Sequence, residues 1–416
     1  MLKCQQIVDI HKKGMQFMKN TDIERMKKEF YNKQEEGPRV NQPKRTPPPP
    51  KEEKEERKER PRPRPQPKPK PQKRRHCKKK HPIRNLLILI LILIILLIVF
   101  VYQEVNNNIN QYNLDSSKME VNDVILSNLR KETKGYLTLA FFGVDSRIDK
   151  LDTGTRTDSI ILLNINTKTG ETKMLSVYRD TYLNTGNNHY NKVNAAYAMG
   201  GPEKALSTLN LNLDLNIENY VTVGFAGLAD AIDELGGITI KVDEDEIEYI
   251  NAYQKTMTKQ LKKKYKAVKK SGSQTLNGIQ AVSYCRIRYT AGSDYKRTQR
   301  QRTVLAQMIA KAKKSSPFKL KRAGEAALRG IQTSMSTSQI MRLIPVALKC
   351  KIVDSDGMPF EKYRTTANLG SKGDCVLPKD LTDNVTKLHQ FLYGTKDYEP
   401  SNTVKGYSEH IRSVLP

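Results

Sequence analysis

Histidine and cysteine are scarce in this chain, six and five residues among 416. None falls in a CxxC or Cys/His spacing, so a structural zinc site is excluded. There is no P-loop, no HExxH and no Ser-His-Asp arrangement. Walker-type nucleotide hydrolysis, zinc proteolysis and serine hydrolysis have nothing to work with. No segment repeats. Acid is the other shortage: 44 Asp+Glu stand against 72 Lys+Arg, for a net charge of +28.

What is present is divided unevenly. Residues 1–84 hold 27 Lys+Arg and 11 Asp+Glu, more than half of the excess charge. Within them Thr46-Pro47-Pro48-Pro49-Pro50, Glu/Lys blocks and Arg-Pro and Lys-Pro alternation cannot bury a core. They predict an extended, disordered tail. Its basic end suits anionic lipid. Without interleaved aromatic residues it does not suit nucleic acid.

Leu86–Tyr102 then reads LLILILILIILLIVFVY, with no charge. That is the short end of what spans a bilayer as a helix. Lys73, Arg74, Arg75, Lys78, Lys79, Lys80 and Arg84 precede it, and Glu104 and an Asn-rich stretch follow. The positive-inside rule puts the N-terminus in the cytoplasm and the remainder outside, on a single-pass anchor over 85–103. A cleaved signal peptide fits poorly: the preceding region is too long and no small-residue cleavage site follows. Cys4 and Cys77 are then expected reduced. Cys285, Cys350 and Cys375 lie where disulfides persist, with Cys350–Cys375 the expected pair.

Residues 104–134 read as an extracellular connector, 135–315 as the main globular domain and 316–416 as an extension without a legible role. Tyr136–Val144 reads as a buried strand. Ile160–Ile165 and Lys173–Tyr178 read as a hairpin turning at Gly170. Asn194–Met199 is a short helix stopped at Gly200-Gly201, and Pro202 opens another. A strand over Tyr220–Phe225, a helix over Ala226–Leu235 and a strand over Ile238–Val242 follow. Residues 244–270 read as one basic helix, Asn277–Tyr284 as a helix leading into Arg286-Ile287-Arg288, and Asp294 as the cap of a helix to about Lys313. Alternation of this kind predicts an α/β fold: a layered domain with a central mixed β-sheet flanked by helices.

The chemistry-bearing residues gather at the ends of these elements. Asp145 and Asp158 flank strand termini and would suit Mg²⁺ or Mn²⁺ beside a diphosphate. Arg156, Arg179, Arg286 and Arg288 sit in apolar, strand-like surroundings, where a guanidinium calls for an anionic partner. Arg286 and Arg288, two apart, would face one ligand if that piece is extended. Arg297, Arg300 and Gln301 share one helix face, while Lys296 and Arg302 point to solvent. Structural salt bridges to Asp145, Asp158 or Asp180 are the competing reading. No ATP pool exists outside a cell, so such a site implies a ligand bringing its own phosphates.

GVDSR at 143–147, RTDS at 156–159, YRDT at 178–181, KVNAAYAMGG at 192–201, LNGIQAVSYCRIR at 276–288 and DYKRTQRQR at 294–302, in this order after one anchor, resemble the LytR-CpsA-Psr family of bacterial wall enzymes. The likeness spans about Tyr136 to Lys313. Tyr178 departs from it, standing where the family usually has proline. The missing Ile-Pro-Gly after that motif implies a different acceptor-side loop.

The resemblance implies a phosphotransferase that moves a glycopolymer (teichoic acid, capsule polysaccharide or similar) from a polyprenyl-diphosphate carrier to a peptidoglycan hydroxyl. It implies Asp145 and Asp158 as metal ligands. It implies Arg156, Arg179, Arg286, Arg288, Arg297 and Gln301 on the diphosphate. An apolar tunnel between sheet and helices would take the lipid. Arg179 with Asp180 or Asp294 are the expected catalytic groups, one carboxylate taking the hydroxyl proton. A pyrophosphatase acting on the same carrier, and a non-enzymatic membrane-bound regulator or wall-binding scaffold, are the alternatives.

Overall fold

A strand with apolar side chains on both faces must be covered on both. Tyr136–Val144 (β1) and Thr157–Asn166 (β2) have this character and form the middle of a six-stranded sheet. The structure, a computed structural model, describes residues 82–122, 133–144, 151, 154–288 and 293–416. Most of the tail expected disordered (1–81) and the expected metal ligand Asp145 lie outside them.

Glu171–Val177 (β3) returns antiparallel to β2 through a turn where Gly170 takes φ +78. Tyr182–Asn184 (β4) and Tyr190–Lys192 (β5) make a small hairpin. Asn219–Gly224 (β6) lies parallel to β1, and Ile238–Val242 (β7) pairs with Gly272–Leu276 (β8). Ile331–Thr333 (β9) and Lys351–Met358 (β10) form the outer edges of the large sheet, in the order β10-β3-β2-β1-β6-β9. Arg364–Asn368 (β11) and Asp374–Pro378 (β12) form a last hairpin. Two parallel and three antiparallel pairings make the sheet mixed, as expected.

The helices are Pro82–Asn108 (α1), Asn194–Leu213 (α2), Phe225–Glu234 (α3), Glu244–Gln260 (α4), Gly278–Arg286 (α5), Ser293–Lys313 (α6), Pro317–Arg329 (α7), Thr337–Lys349 (α8), Leu381–Tyr393 (α9) and Asn402–Ser413 (α10). Ala140, Phe142, Val144, Leu162 and Leu175 on one sheet face pack in one core with Leu206 and Leu209 of α2, Leu388 of α9 and Val404 of α10. Leu139, Ile161, Leu163, Met174 and Val221 on the other face meet Leu305 of α6 and Ile340, Leu343 and Val346 of α8. The result is three layers, helix–sheet–helix. Buried Asp214 ties α2 to α10: its carboxylate accepts from Ser401 N, Ser401 Oγ and Asn122 Nδ2, each at 2.7 Å.

The described side chains of α1 begin at Leu91, and among the described residues no helix is long and apolar enough to cross a membrane.

Several expectations are corrected. The basic stretch 244–270 is helical only to Gln260, and Lys262 then takes φ +50. Arg286 belongs to the last turn of α5, so it and Arg288 do not share a strand face. Asp294 lies inside the first turn of α6, which begins at Ser293. Arg302 is buried and donates to Ser176 Oγ at 2.8 Å. Cys285, Cys350 and Cys375 are all free thiols. Cys350 ends α8, with its Sγ 3.0 Å from Thr172 Oγ1, whereas Cys375 sits in β12.

Candidate functional site

Strand polarity builds the site. β1 and β3 end, and β2 begins, at one edge of the sheet, and β6 ends there too. The pairing of β1 with β2 shifts between Gly143 and Val144, which leaves Asp158 opposite no partner. Such a bulge re-aims a side chain. Arg179 and Asp180 follow β3 in a turn closed by Thr181 N–H to Tyr178 O at 2.9 Å. Val376 N–H of β12 donates to Asp180 O at 2.9 Å, and Asn194 N–H of α2 to Arg179 O at 3.1 Å. The first turns of α6 complete the edge: Asp294, Arg297 and Gln301, at i, i+3 and i+7, share a face.

Asp158 is the hub. Its carboxylate lies 2.8 Å from Arg179 Nη1, 3.2 Å from Arg297 Nη2 and 3.4 Å from Arg288 Nη2. Its backbone carbonyl accepts from Arg297 Nη2 at 2.8 Å and from Gln301 Nε2 at 3.5 Å. Burial alone would raise the carboxyl, but Arg297, Arg179 and Arg288 outweigh it and hold Asp158 below the usual carboxylate range. Arg179 Nε reaches Asp180 at 3.3 Å and Asp294 at 3.6 Å, and Arg297 Nη1 reaches Asp294 at 3.0 Å. Burial lowers Arg179, and Asp180, Asp294 and Asp158 more than restore it. Arg288 falls below its ordinary value, through burial first and then repulsion from Arg297 and Arg179. Three guanidinium groups meet three carboxylates here, and Lys192 and Arg286 beside them leave the edge an excess of cations, which disposes it to an anion.

A cavity of about 90 Å³ opens beside this cluster. Phe141, Ile161, Val223, Leu228, Val304 and Leu305 give it apolar walls between sheet and helices, with Asp158, Arg286, Arg297 and Gln301 also lining it. Cys285 lines it too, but burial pushes its thiol up to about 12, so it is no nucleophile at neutral pH.

The structure thus brings together Asp158, Arg179, Asp180, Arg288, Asp294, Arg297 and Gln301. Arg286 reaches the same cavity from α5, its guanidinium over the rings of Phe225 (4.8 Å) and Tyr253 (5.4 Å). Arg156, just before β2, is exposed and makes no hydrogen bond or ion pair among the described residues. Arg300 is turned away: it forms a buried 2.7 Å pair with Glu246 of α4. Asp145 lies outside the described residues.

Two features were not singled out in the sequence, although Lys192 opens the KVNAAYAMGG motif. Lys192 of β5 pairs with Asp180 at 3.3 Å. Arg364 of β11 lies 3.8 Å over the Tyr295 ring and 5.1 Å over that of Tyr178, to whose hydroxyl its Nη1 donates at 3.0 Å. Tyr178 meets Tyr295 edge-on at 4.8 Å. The residue that departs from the family pattern is therefore covered from the chain's far end.

A divalent metal would need hard oxygens. Among the described residues no three His, Cys, Asp or Glu side chains converge as a closed cage. Asp158 does stay ionised at the cavity, beside a buried Gln301 Oε1 that has no hydrogen-bond partner. One carboxylate with substrate phosphates is an ordinary Mg²⁺ set, so these residues fit one.

The LytR_cpsA_psr family model matches residues 96–386. The chain is 29% identical over 290 residues to the polyisoprenyl-teichoic acid–peptidoglycan teichoic acid transferase TagV of Bacillus subtilis (strain 168), covering 67% of this chain and 70% of that one. It is 33% identical over 187 residues to TagT of the same organism, a transferase of the same description, covering 44% and 55%. Among solved structures, protein gbs0355 from Streptococcus agalactiae superimposes with a TM-score of 0.54 at 28% identity, covering 66% of this chain and 94% of that one.

Proposed function

The chain belongs to the LytR_cpsA_psr family, and from that membership and the guanidinium cluster at the sheet edge we propose how it works. It is a phosphotransferase that moves a glycopolymer from a polyprenyl-diphosphate carrier to a peptidoglycan hydroxyl. The observation that carries this reading is the convergence of Arg179, Arg288 and Arg297 on Asp158 at the mouth of an apolar cavity. Diphosphate oxygens suit the guanidinium groups, and a prenyl chain suits the walls behind them.

The diphosphate itself supplies the driving force. A peptidoglycan hydroxyl attacks the phosphorus on the sugar side, and a P–O bond forms. The bond to the bridging oxygen breaks, and polyprenyl phosphate leaves with that electron pair. Arg179, Arg288 and Arg297 stabilise the charge gathering on the transferred and departing phosphates. The hydroxyl proton goes to Asp294. Both of its ion pairs use Oδ1, whereas Asp180 has both oxygens engaged, by Arg179 and Lys192. Mg²⁺ or Mn²⁺, held by Asp158 and the substrate's phosphates, would add Lewis-acid stabilisation when bound. Asp294→Asn is expected to lower turnover about a hundredfold and Asp180→Asn less, within the usual range for a general base. Equal turnover in Asp294→Asn and the wild type would remove Asp294 from that role.

We read α1 as a single-pass anchor, with the N-terminus cytoplasmic and the catalytic domain outside. Supporting this, Leu91, Ile92 and the six consecutive residues Ile95–Phe100 are each 46% exposed or more, so apolar surface covers the helix all round. A helix of that kind belongs in lipid.

The test reconstitutes the full chain with a synthetic polyprenyl-diphosphate oligosaccharide and peptidoglycan, with and without Mg²⁺. A phosphodiester-linked product is expected. Free phosphate monoester without linkage would identify a pyrophosphatase instead.

A further inference from the structure

α7 has two dissimilar faces. One packs on α3, where the close approach of Gly227 and Gly330 leaves no room for a side chain: a Cβ on Gly227 would lie 2.4 Å from Gly330 Cα. The other face presents Phe318, 69% exposed, with Lys319, Lys321 and Arg322 around it. Residues 311–322 hold six Lys or Arg and no Asp or Glu.

α7 also runs alongside α1. Lys321 Nζ lies 5.4 Å from the Phe100 ring and 3.8 Å from the Glu104 carboxylate, and Arg329 Nη1 is 3.5 Å from Asn108 Oδ1. Both helices therefore run the same way, with the N-terminal end of α7 nearer the apolar run. Phe318 is three residues before Lys321, about 4.5 Å further along at 1.5 Å per residue. That places it level with the outer end of Leu86–Tyr102.

We infer that this face of α7 docks on the outer surface of the bilayer that holds α1, with Phe318 in the interface and Lys314 and Lys319 among anionic lipid headgroups. The inference rests on the reading of α1 as an anchor. Aromatic side chains settle at the headgroup level, and basic side chains reach the phosphates from there. Lys314 and Lys319 are exposed and make no ion pair among the described residues. A second copy is a poor occupant. The unpaired Lys314 and Lys319 would face their own kind, and one phenylalanine falls far short of the roughly 800 Å² per partner of a stable interface. Docking here adds a second point of attachment beside α1 and holds the catalytic domain at one tilt to the membrane.

The chain has no tryptophan, so single-tryptophan reporters are clean. Phe318→Trp and Leu97→Trp, each in the full chain, are reconstituted in vesicles containing phosphatidylglycerol, with a nitroxide near the headgroup or deep in the acyl chain. Leu97→Trp should be quenched most by the deep label and Phe318→Trp most by the shallow one. Lys314→Glu with Lys319→Glu, or vesicles of phosphatidylcholine alone, should reduce the Phe318→Trp quenching at least twofold. Deep quenching at position 97 with water-like, unquenched emission at 318 would overturn the docking and leave the anchor standing. Blue-shifted emission at 318 that follows protein density and not the lipid label would assign the face to a second copy and overturn it equally. No deep quenching at 97 would remove the anchor, and the docking with it.

Discussion

Arg179 shows how far a single side chain can be shared. It bridges Asp158, Asp180 and Asp294, carboxylates contributed by β2, its own turn and α6. Losing it leaves three partly buried acids to repel one another and removes a phosphate donor. Arg179→Ala is expected to reduce kcat/KM by roughly 10²–10³, the usual loss for one pre-organised donor. Arg179→Lys should recover little, because a single ammonium cannot span three carboxylates. Steady-state transfer assays check both, and a wild-type rate in Arg179→Ala would sink the clamp. The arginine itself was legible from YRDT, since a guanidinium among apolar strand residues needs an anion. Asp158 and Asp180 were already among the acids named as salt-bridge partners, but the ion pair with Asp294 was not legible, because Asp294 lies 115 residues further along the chain.

At the scale of elements, α9 carries a buried titratable group away from the site. His389 is fully buried and stacks on Tyr398 at 3.6 Å. Its Nε2 donates to Leu213 O at 3.1 Å, while Nδ1 has no partner. Burial, only partly opposed by the Leu213 carbonyl and Asp214, lowers its pKa to about 4. An unfolded histidine binds its proton near 6.5. Between those values the unfolded state holds the extra proton, so stability falls as pH falls from about 6.5 to about 4, by on the order of 3 kcal/mol. Denaturant melts of the wild type and His389→Gln should diverge least at pH 7 and most at pH 4.5, where only the wild type has lost this stability, if the glutamine keeps the Leu213 bond. An identical pH slope in the two proteins would remove His389 as the cause. Element boundaries were well read where the signal was local. Gly170 at the β2–β3 turn and the Gly200-Gly201-Pro202 break in α2 both stood in the sequence. Helix was over-extended beyond Gln260 because a run of lysines keeps helical propensity without any packing that would require a helix.

For the molecule as a whole, the C-terminal extension decides the outcome. Residues beyond 315 supply both edge strands of the large sheet and Leu381, Val385, Leu388, Leu392, Val404 and Ile411, each with no exposed surface. At about 2 kcal/mol per buried aliphatic side chain, these six contribute on the order of 12 kcal/mol, comparable with the net stability of a typical domain. A chain ending at 315 is therefore expected to lack a cooperative melting transition and to aggregate. A sharp transition in that truncation, followed by circular dichroism, would show that the extension is dispensable for folding.

By itself the sequence determined the apolar run, the alternation of strands and helices, and the ordered motifs that carry the arginines and aspartates. These depend on neighbours close along the chain, where spacing fixes which side chains can meet. The tertiary structure alone decided that Arg300 serves Glu246 and not a ligand, that Lys192 holds Asp180, and that Arg364 caps the tyrosines beside Asp294. It also decided that the extension completes the sheet. Each of these depends on groups brought together by chain closure over 12 to 186 residues, for which local pattern holds no record.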